Sequence, residues 1–511
     1  MRAQLNRFSF RSAYLIRFAW LRITAASLLA SARGRIRAGV EMSPLRSYPE
    51  LPPATAPFGV STKTRTLAAF FAFAAACLPG TARAQAPLPA GWPNRLELGM
   101  SDGPGGAAAM KATAPFRFRY QYLAGGVNTG SGWATWNSNG DFARFYIEDS
   151  VASGIVPVFT YYMMFQSAPG GGSGEADAVF NNLNNTATMT AYFNDVKLFF
   201  QKAGAFPAQK VVLHMEPDLW GYMEQRSTND DAKTVTAKVA ETGIPELAGL
   251  PGNVSGFARA VLKLRDMYAP NVNVGYHISI WGTRTDIGLS NPPDATVDAL
   301  AVRAANFYKS LVADFDIAFA EFSDRDAAFK QYVYGDGGQS WFDAEDFRRS
   351  ARFLGGFSAA AGKRIVMWQI PLGNTKMRAQ NNTTGHYQDN RPEWLLDEAP
   401  RSHLAAFRDA GVVAFLFGGG AAGVTCACNA QSDGVTNPSP INGNNLASEA
   451  APPGSAPVQV MRGTTPTLVT PYAADDDGGF FRWKAWTYYQ AGPMTLSTTT
   501  LPAPTNLRIV P

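Results

Sequence analysis

Carboxylates closing two apolar runs are the first feature of this sequence that could do chemistry. The run Val211 to Met215 (VVLHM) passes directly into Glu216-Pro217-Asp218-Leu219-Trp220, and the run Phe315 to Ala320 (FDIAFA) passes into Glu321-Phe322-Ser323-Asp324-Arg325-Asp326. An acid at the last residue of a buried strand is partly desolvated, which raises its pKa and suits a proton donor near neutral pH. Two such acids in one cavity supply a pair for acid/base or nucleophilic work on a glycosidic bond. Glu216 is therefore expected to donate the proton, and Glu321, or Asp324 after it, to act as nucleophile or base. Asp218, two residues beyond its run, is expected to contact substrate or to cap the segment that follows.

Other runs end in groups that hydrogen-bond or stack: Asn128, Trp133 and Trp136 after the second, Tyr161 and Tyr162 on the third, His214 within the fourth, His277 and Trp281 at the fifth, and Trp368, Gln369 and Asn374 at the seventh. Five of the ten tryptophans beyond residue 84 (Trp133, Trp136, Trp220, Trp281 and Trp368) fall beside these ends, so tryptophan is concentrated where a ligand would sit. Sugar rings present apolar C–H faces that aromatic platforms match, and two or three of the five are expected to face a carbohydrate, the others to be core. His214, Glu216 and His277 would be the minimum for a zinc site, but no H-E-x-x-H is present, so no metal is expected. No G-x-S-x-G elbow and no nucleotide-binding glycine loop occurs, and no cofactor is expected.

These groups need a frame that gathers distant strand ends. Eight apolar runs recur: Arg95 to Met100, Phe116 to Leu123, Val156 to Tyr162, Val211 to Met215, Val272 to Ile280, Phe315 to Ala320, Arg364 to Gln369 and Val412 to Phe417. Between them lie segments of helical period such as Ala191 to Lys202, Val254 to Tyr268, Val297 to Val312, Ala344 to Ala361 and Arg401 to Asp409. Strands buried on both faces read as continuous hydrophobic runs, and eight of them alternating with helices predict a (β/α)8 barrel whose reacting groups collect at the C-terminal strand ends. An open doubly wound sheet would show the same alternation, but without the glycine fingerprint that such a sheet carries after its first strand. Phe480 to Gln490 is expected to be the closing helix, displaced by a Gly, Asn, Pro and Ser-rich loop over 421–477.

The 511-residue chain has a formal charge of +5, yet its first 84 residues carry 12 of the 45 Lys and Arg and 2 of the 40 Asp and Glu. That leaves 33 basic and 38 acidic residues from Gln85 on, a mildly acidic body that excludes nucleic acid as a partner. Within residues 1–84, Lys63 and Arg65 precede the apolar run 67–78, followed by Pro79-Gly80 and Ala82-Arg83-Ala84, the layout of a secretory signal with its cleavage site. The run is too short to span a bilayer, so a secreted protein with no membrane contact after cleavage is expected. Met1 to Glu41 reads as sequence ahead of the true start, with Met42 or a later codon in that role, the alternative for Arg2 to Arg37 being an Arg-rich organellar presequence. Removal of the signal takes Cys77 with it and leaves Cys426 and Cys428, bonded or reduced. The barrel is expected over 85–492, and 493–511 as a Thr/Pro linker whose end, Pro502 to Pro511, resembles the opening strand of a fibronectin type III module.

With Glu216-Pro217 closing the fourth strand of a predicted barrel over about Pro93 to Gln490, the chain resembles a secreted TIM-barrel glycoside hydrolase. In the large clan of retaining barrel glycosidases an Asn-Glu-Pro at this place supplies the acid/base, and the resemblance implies that role for Glu216. This chain has Met215 where the clan has Asn, and Trp368-Gln369 on the seventh strand where the clan's nucleophile Glu is expected. The Glu-Pro-Asp triplet is also similar to that of inverting cellulases with a distorted barrel. The missing seventh-strand Glu motivates an alternative, a non-catalytic carbohydrate-binding or surface protein on a degenerate barrel.

Overall fold

A computed structural model describes residues 85–323, 325–373, 389–398, 400–418, 458–462, 465–469 and 480–496. All eight apolar runs form strands: β1 (Glu97–Ser101), β2 (Phe118–Leu123), β3 (Val156–Tyr161), β4 (Val211–Met215), β5 (Val272–Ile278), β6 (Ile317–Ala320), β7 (Ile365–Pro371) and β8 (Val412–Gly418). Each pairs in parallel with its sequence neighbours, and β8 returns to β1 with Glu97 beside Ala414 and Met100 beside Phe417, closing a (β/α)8 TIM barrel. Helices between successive strands cover the outside, so both faces of the sheet are dry. This is why the strands read as unbroken apolar runs rather than as alternating ones.

The helical segments Val254–Tyr268, Ala344–Ala361 and Phe480–Gln490 span their expected residues. Asp343 begins the second of these with a reciprocal cap: its carboxylate accepts from the Asp346 amide at 3.0 Å, and Asp346 accepts from the Asp343 amide at 2.8 Å. Helix Phe480–Gln490 closes the ring. The Tyr488 hydroxyl donates to Leu96 O at 2.8 Å, the Tyr489 hydroxyl donates to Glu97 at 3.0 Å, and Phe481 stacks on Phe417 of β8 at 4.1 Å. Beyond it, residues 494–496 return to the bottom of β1, where Met494 O accepts from the Leu96 amide at 2.7 Å. The first residues of the expected linker thus lie against the barrel. Inside the expected loop over 421–477, Val458–Arg462 and Thr465–Val469 pair as an antiparallel hairpin. Asp324, Asn374, Cys426, Cys428, the signal region and residues 497–511 lie outside the described residues.

Alternation along the strands sorts the side chains that matter. Tyr120, His214, Phe319 and Trp368 meet inside the ring, where the His214 imidazole stacks on Phe319 at 4.1 Å and Trp368 stands edge-on to it at 4.7 Å. Gly275 makes room for this cluster, since a β-carbon there would come within 2.4 Å of the Phe319 ring. Facing outward, Tyr276 packs on Trp220, Tyr308 and Phe315 under the helix layer.

Candidate active site

The C-terminal ends of β4, β5 and β6 converge on one group of donors. A carboxylate oxygen of Asp218, a ring nitrogen of His277 and a carboxylate oxygen of Glu321 all lie within 4.8 Å of one another. His277 and Glu321 are buried and Asp218 is half-buried. The cleft above them, about 230 Å³, is also lined by Glu175, Tyr222, Trp281, Asp286, Lys330 and Arg391. Trp281 and Tyr222 stand 4.8 Å apart as an aromatic wall. A larger groove of about 370 Å³ runs past Gln85, Arg352 and Gly411, where β8 begins. That is the end of a barrel concerned with stability, and its Asp298 is bound to Arg352 and its Asp409 to Arg408.

Backbone conformation explains which acid enters the mouth. Immediately after β4, Glu216 and Asp218 both adopt left-handed φ values, 43° and 70°, which non-glycine residues hold only when their surroundings enforce it. Strand alternation predicts an inward Glu216, following Val212 and His214. The left-handed step breaks that period. Its carboxylate lies instead against the main chain following β3, accepting from the Met163 amide at 3.2 Å and the Met164 amide at 3.1 Å, with 1% of the residue exposed. Its field reaches Tyr161 and Tyr192 on the side of helix Thr186–Gly204. Burial pushes the Glu216 pKa up to about 8 against the pull of those amides. Asp218, one turn ahead of Tyr222, is the β4 acid that joins Glu321.

The barrel floor under the pair is polar and largely uncharged. The His214 and His277 rings join through His214 Nε2 and His277 Nδ1 at 2.9 Å, and His214 Nδ1 lies 3.4 Å from the Thr160 hydroxyl. Burial holds His277 down to about 3 and lowers His214 well below its usual range, so both rings are neutral near pH 7. His277 Nε2 and Trp368 Nε1 are buried and have no hydrogen-bond partner among the described residues. Tyr122 donates to Gln369, and the charges of Glu321, Asp218 and Arg325 all reach its hydroxyl. Gln369 itself adopts a left-handed φ, 52°, at a register shift in β7.

Of the residues singled out in the sequence, Asp218, His277, Trp281 and Glu321 come together, with His214, Trp368 and Gln369 beneath them. Tyr162 reaches the rim by donating to Glu175 at 2.5 Å. Three others are structural. Trp133 and Tyr161 both donate to Asp195, at 2.6 and 2.5 Å, and Trp220 donates to Met215 O at 2.9 Å; all three are fully buried under helices. Asn128 is exposed and ties two loops together, accepting from the Ala168 amide and donating to its carbonyl at 2.8 and 2.7 Å. Tyr122, Glu175, Tyr222 and Asp286 were not anticipated. Tyr120 and Tyr122 share a face two residues apart at a strand end, and Tyr222 lies four residues beyond Asp218 on one helix, so both signals were present in the spacing.

A second buried acid sits behind the aromatic wall. Glu224 has one carboxylate oxygen without a partner among the described residues, and burial pushes its pKa up to about 8 from 4.5. A carboxyl group that holds its proton in the folded state where the unfolded chain has lost it makes stability fall as pH rises, by up to about 1.4 kcal/mol per pH unit. Both Glu216 and Glu224 act in this sense between 4.5 and about 8. The denaturation midpoint is therefore expected to drop across that range, and Glu224→Gln, which has no proton to lose, is expected to flatten the slope. An unchanged slope in the variant would show that Glu224 does not titrate there.

No protein-family model and no curated protein matches the sequence. Among solved structures the chain is similar to a modular endo-β-1,4-mannanase from Cellulomonas fimi, with 11% identity, 72% of this chain and 78% of that one covered, and a TM-score of 0.39. It is similar to a β-glucosidase from Thermotoga maritima with 11% identity, coverage of 60% and 74%, and a TM-score of 0.33. It is likewise similar to morphinone reductase with 12% identity, coverage of 63% and 81%, and a TM-score of 0.31. The barrel stands on the chain's own strand order, and these likenesses leave the reaction to be argued from the groups in the mouth. No helix among the described residues is long and apolar enough to cross a membrane.

Proposed function

We propose that the protein is an exported glycoside hydrolase that cleaves a neutral oligo- or polysaccharide, with Asp218 and Glu321 as its carboxylate pair. The observation that carries this reading is their approach, oxygen to oxygen within 4.8 Å, at the mouth of a closed barrel. Carboxyl groups about 5 to 5.5 Å apart suit a retaining mechanism, whereas inversion needs about 6.5 to 9.5 Å to admit a water between them. Glu321, the deeper of the two, is the nucleophile: its carboxylate attacks the anomeric carbon while Asp218 protonates the departing oxygen and the glycosidic bond breaks. Asp218 then takes a proton from water, which attacks the same carbon and releases Glu321. Half-buried Asp218 suits the residue that must meet both leaving group and water. In this assignment Asp218 takes the acid/base role that the sequence pattern suggests for Glu216.

Trp281 and Tyr222 supply the stacking surface for a sugar ring. Glu175, Asp218, Asp286 and Glu321 outnumber Lys330 and Arg391 around the cleft, which disfavours uronic-acid polymers and favours neutral ones. Export rests on the signal-like segment at 63–84. Incubating the protein with a panel of neutral and acidic polysaccharides and measuring reducing ends tests the reading. Turnover confined to neutral polymers, with retained anomeric configuration by NMR, is the expected result. Saturable binding without turnover would favour the alternative of a carbohydrate-binding protein on a degenerate barrel.

A further inference from the structure

We infer that Asp218, His277 and Glu321 also form a binding site for a first-row divalent cation, through one carboxylate oxygen of each acid and Nε2 of His277, and that this cation competes with the sugar. The inference uses the same cleft as the proposed hydrolase but not its chemistry.

Two independent observations meet here. One is the donor set: an imidazole and two carboxylates, brought from β5, β4 and β6, with donor atoms mutually within 4.8 Å. A cation about 2.0–2.2 Å from each donor places the donors roughly 3–4 Å apart, so the side chains need to close by about an ångström. The other is His277 itself. Its ring is fully buried, its Nδ1 is engaged by His214, and its Nε2 has no partner among the described residues. An unsatisfied buried polar atom costs about 1–3 kcal/mol, which a bound ligand offsets.

The surroundings of His277 fit a ligand. A metal-bound imidazole usually donates its second N–H to a neighbour that fixes tautomer and orientation. With the proton on His277 Nδ1 and donated to His214 Nε2, the Nε2 lone pair is left for a cation, and Thr160 continues the chain behind His214. Glu175 and Asp286 line the same cleft and add negative potential. One nitrogen and two oxygen donors suit the manganese-to-zinc series better than calcium or magnesium, which prefer all-oxygen sites. The trio His214, Glu216 and His277, set aside as a zinc site in the sequence, is not brought together, because His214 binds His277 and Glu216 binds main-chain amides.

The full chain, stripped with a chelator, is titrated with Zn2+ by calorimetry and with Mn2+ by electron paramagnetic resonance. One equivalent is expected to bind the parent protein, with affinity lowered more than about 100-fold in His277→Ala and in Asp218→Asn. Asp218 is half-buried, so its variant reports even where the deeper His277 substitution fails to fold. Zn2+ is expected to suppress glycoside turnover and chelator to restore it. Absence of binding, or equal binding by parent and both variants, overturns the site. Turnover without metal binding would leave the hydrolase reading standing and sink this one, while one-equivalent binding with no turnover on any polysaccharide would do the reverse.

Discussion

Glu321→Gln is expected to lower kcat by about 10³-fold or more on the best substrate while leaving the denaturation midpoint nearly unchanged, because the amide is isosteric but cannot attack carbon. Asp218→Asn should fall similarly for substrates with poor leaving groups and much less for activated aryl glycosides, whose departure needs no protonation. That difference separates the roles: the nucleophile is needed for both kinds of substrate, the acid for only one. Adding azide to a Glu321→Gly enzyme should restore turnover and give a glycosyl azide of inverted configuration, since the anion attacks from the face the carboxylate has vacated. Full activity in Glu321→Gln with the fold intact would remove the pair from the mechanism. The size of the expected effect follows from placement, because Glu321 and Asp218 share one cavity while the hydrogen bonds of Glu216 run to the Met163 and Met164 amides.

The barrel was legible because its signal is repeated and local. Apolar runs buried on both faces recur eight times, and β4 occupies the residues its run predicts. Helices Val254–Tyr268 and Ala344–Ala361 likewise match, each begun by an Asn or Asp that caps its first turn. The placement of polar residues at rigid strand ends was legible to the same degree: Glu321 follows β6, His277 sits within β5, and Trp281 lies in the loop beyond. What sequence could not convey is which side of a strand a polar group chooses once the period breaks. Trp133 and Tyr161 look like sugar platforms until Asp195 appears beneath them from a helix more than thirty residues on. Glu216 looks like the better acid because it directly follows a strand, and only the left-handed backbone, enforced by tertiary contacts, turns it outward and brings Asp218 in. The hairpin inside 421–477 is masked in the sequence because Ala, Pro and Asp-rich stretches flank its two five-residue strands.

The sharpest test of that reversal is Glu216. In Glu216→Ala the buried amides of Met163 and Met164 lose their acceptor, and each unsatisfied amide costs about 1–3 kcal/mol, so a loss of about 2–6 kcal/mol in unfolding free energy is expected. Glu216→Gln keeps a carbonyl oxygen in the same place. It should recover most of that stability and turn over within about threefold of the parent enzyme, since general acid catalysis is worth 10² or more only to the residue that performs it. Because the folded carboxyl holds its proton up to about 8 while the unfolded one loses it near 4.5, the Gln variant should match the parent below about pH 4.5 and exceed its stability by a growing margin from there to about pH 8. A folded Glu216→Gln protein with turnover reduced 10³-fold would instead return the acid to Glu216. Asp218 would then be left as a binding residue, and the left-handed step after β4 would need another explanation. Measured together, stability and turnover of these two variants separate a carboxyl group that secures the chain beyond β3 from one that transfers a proton.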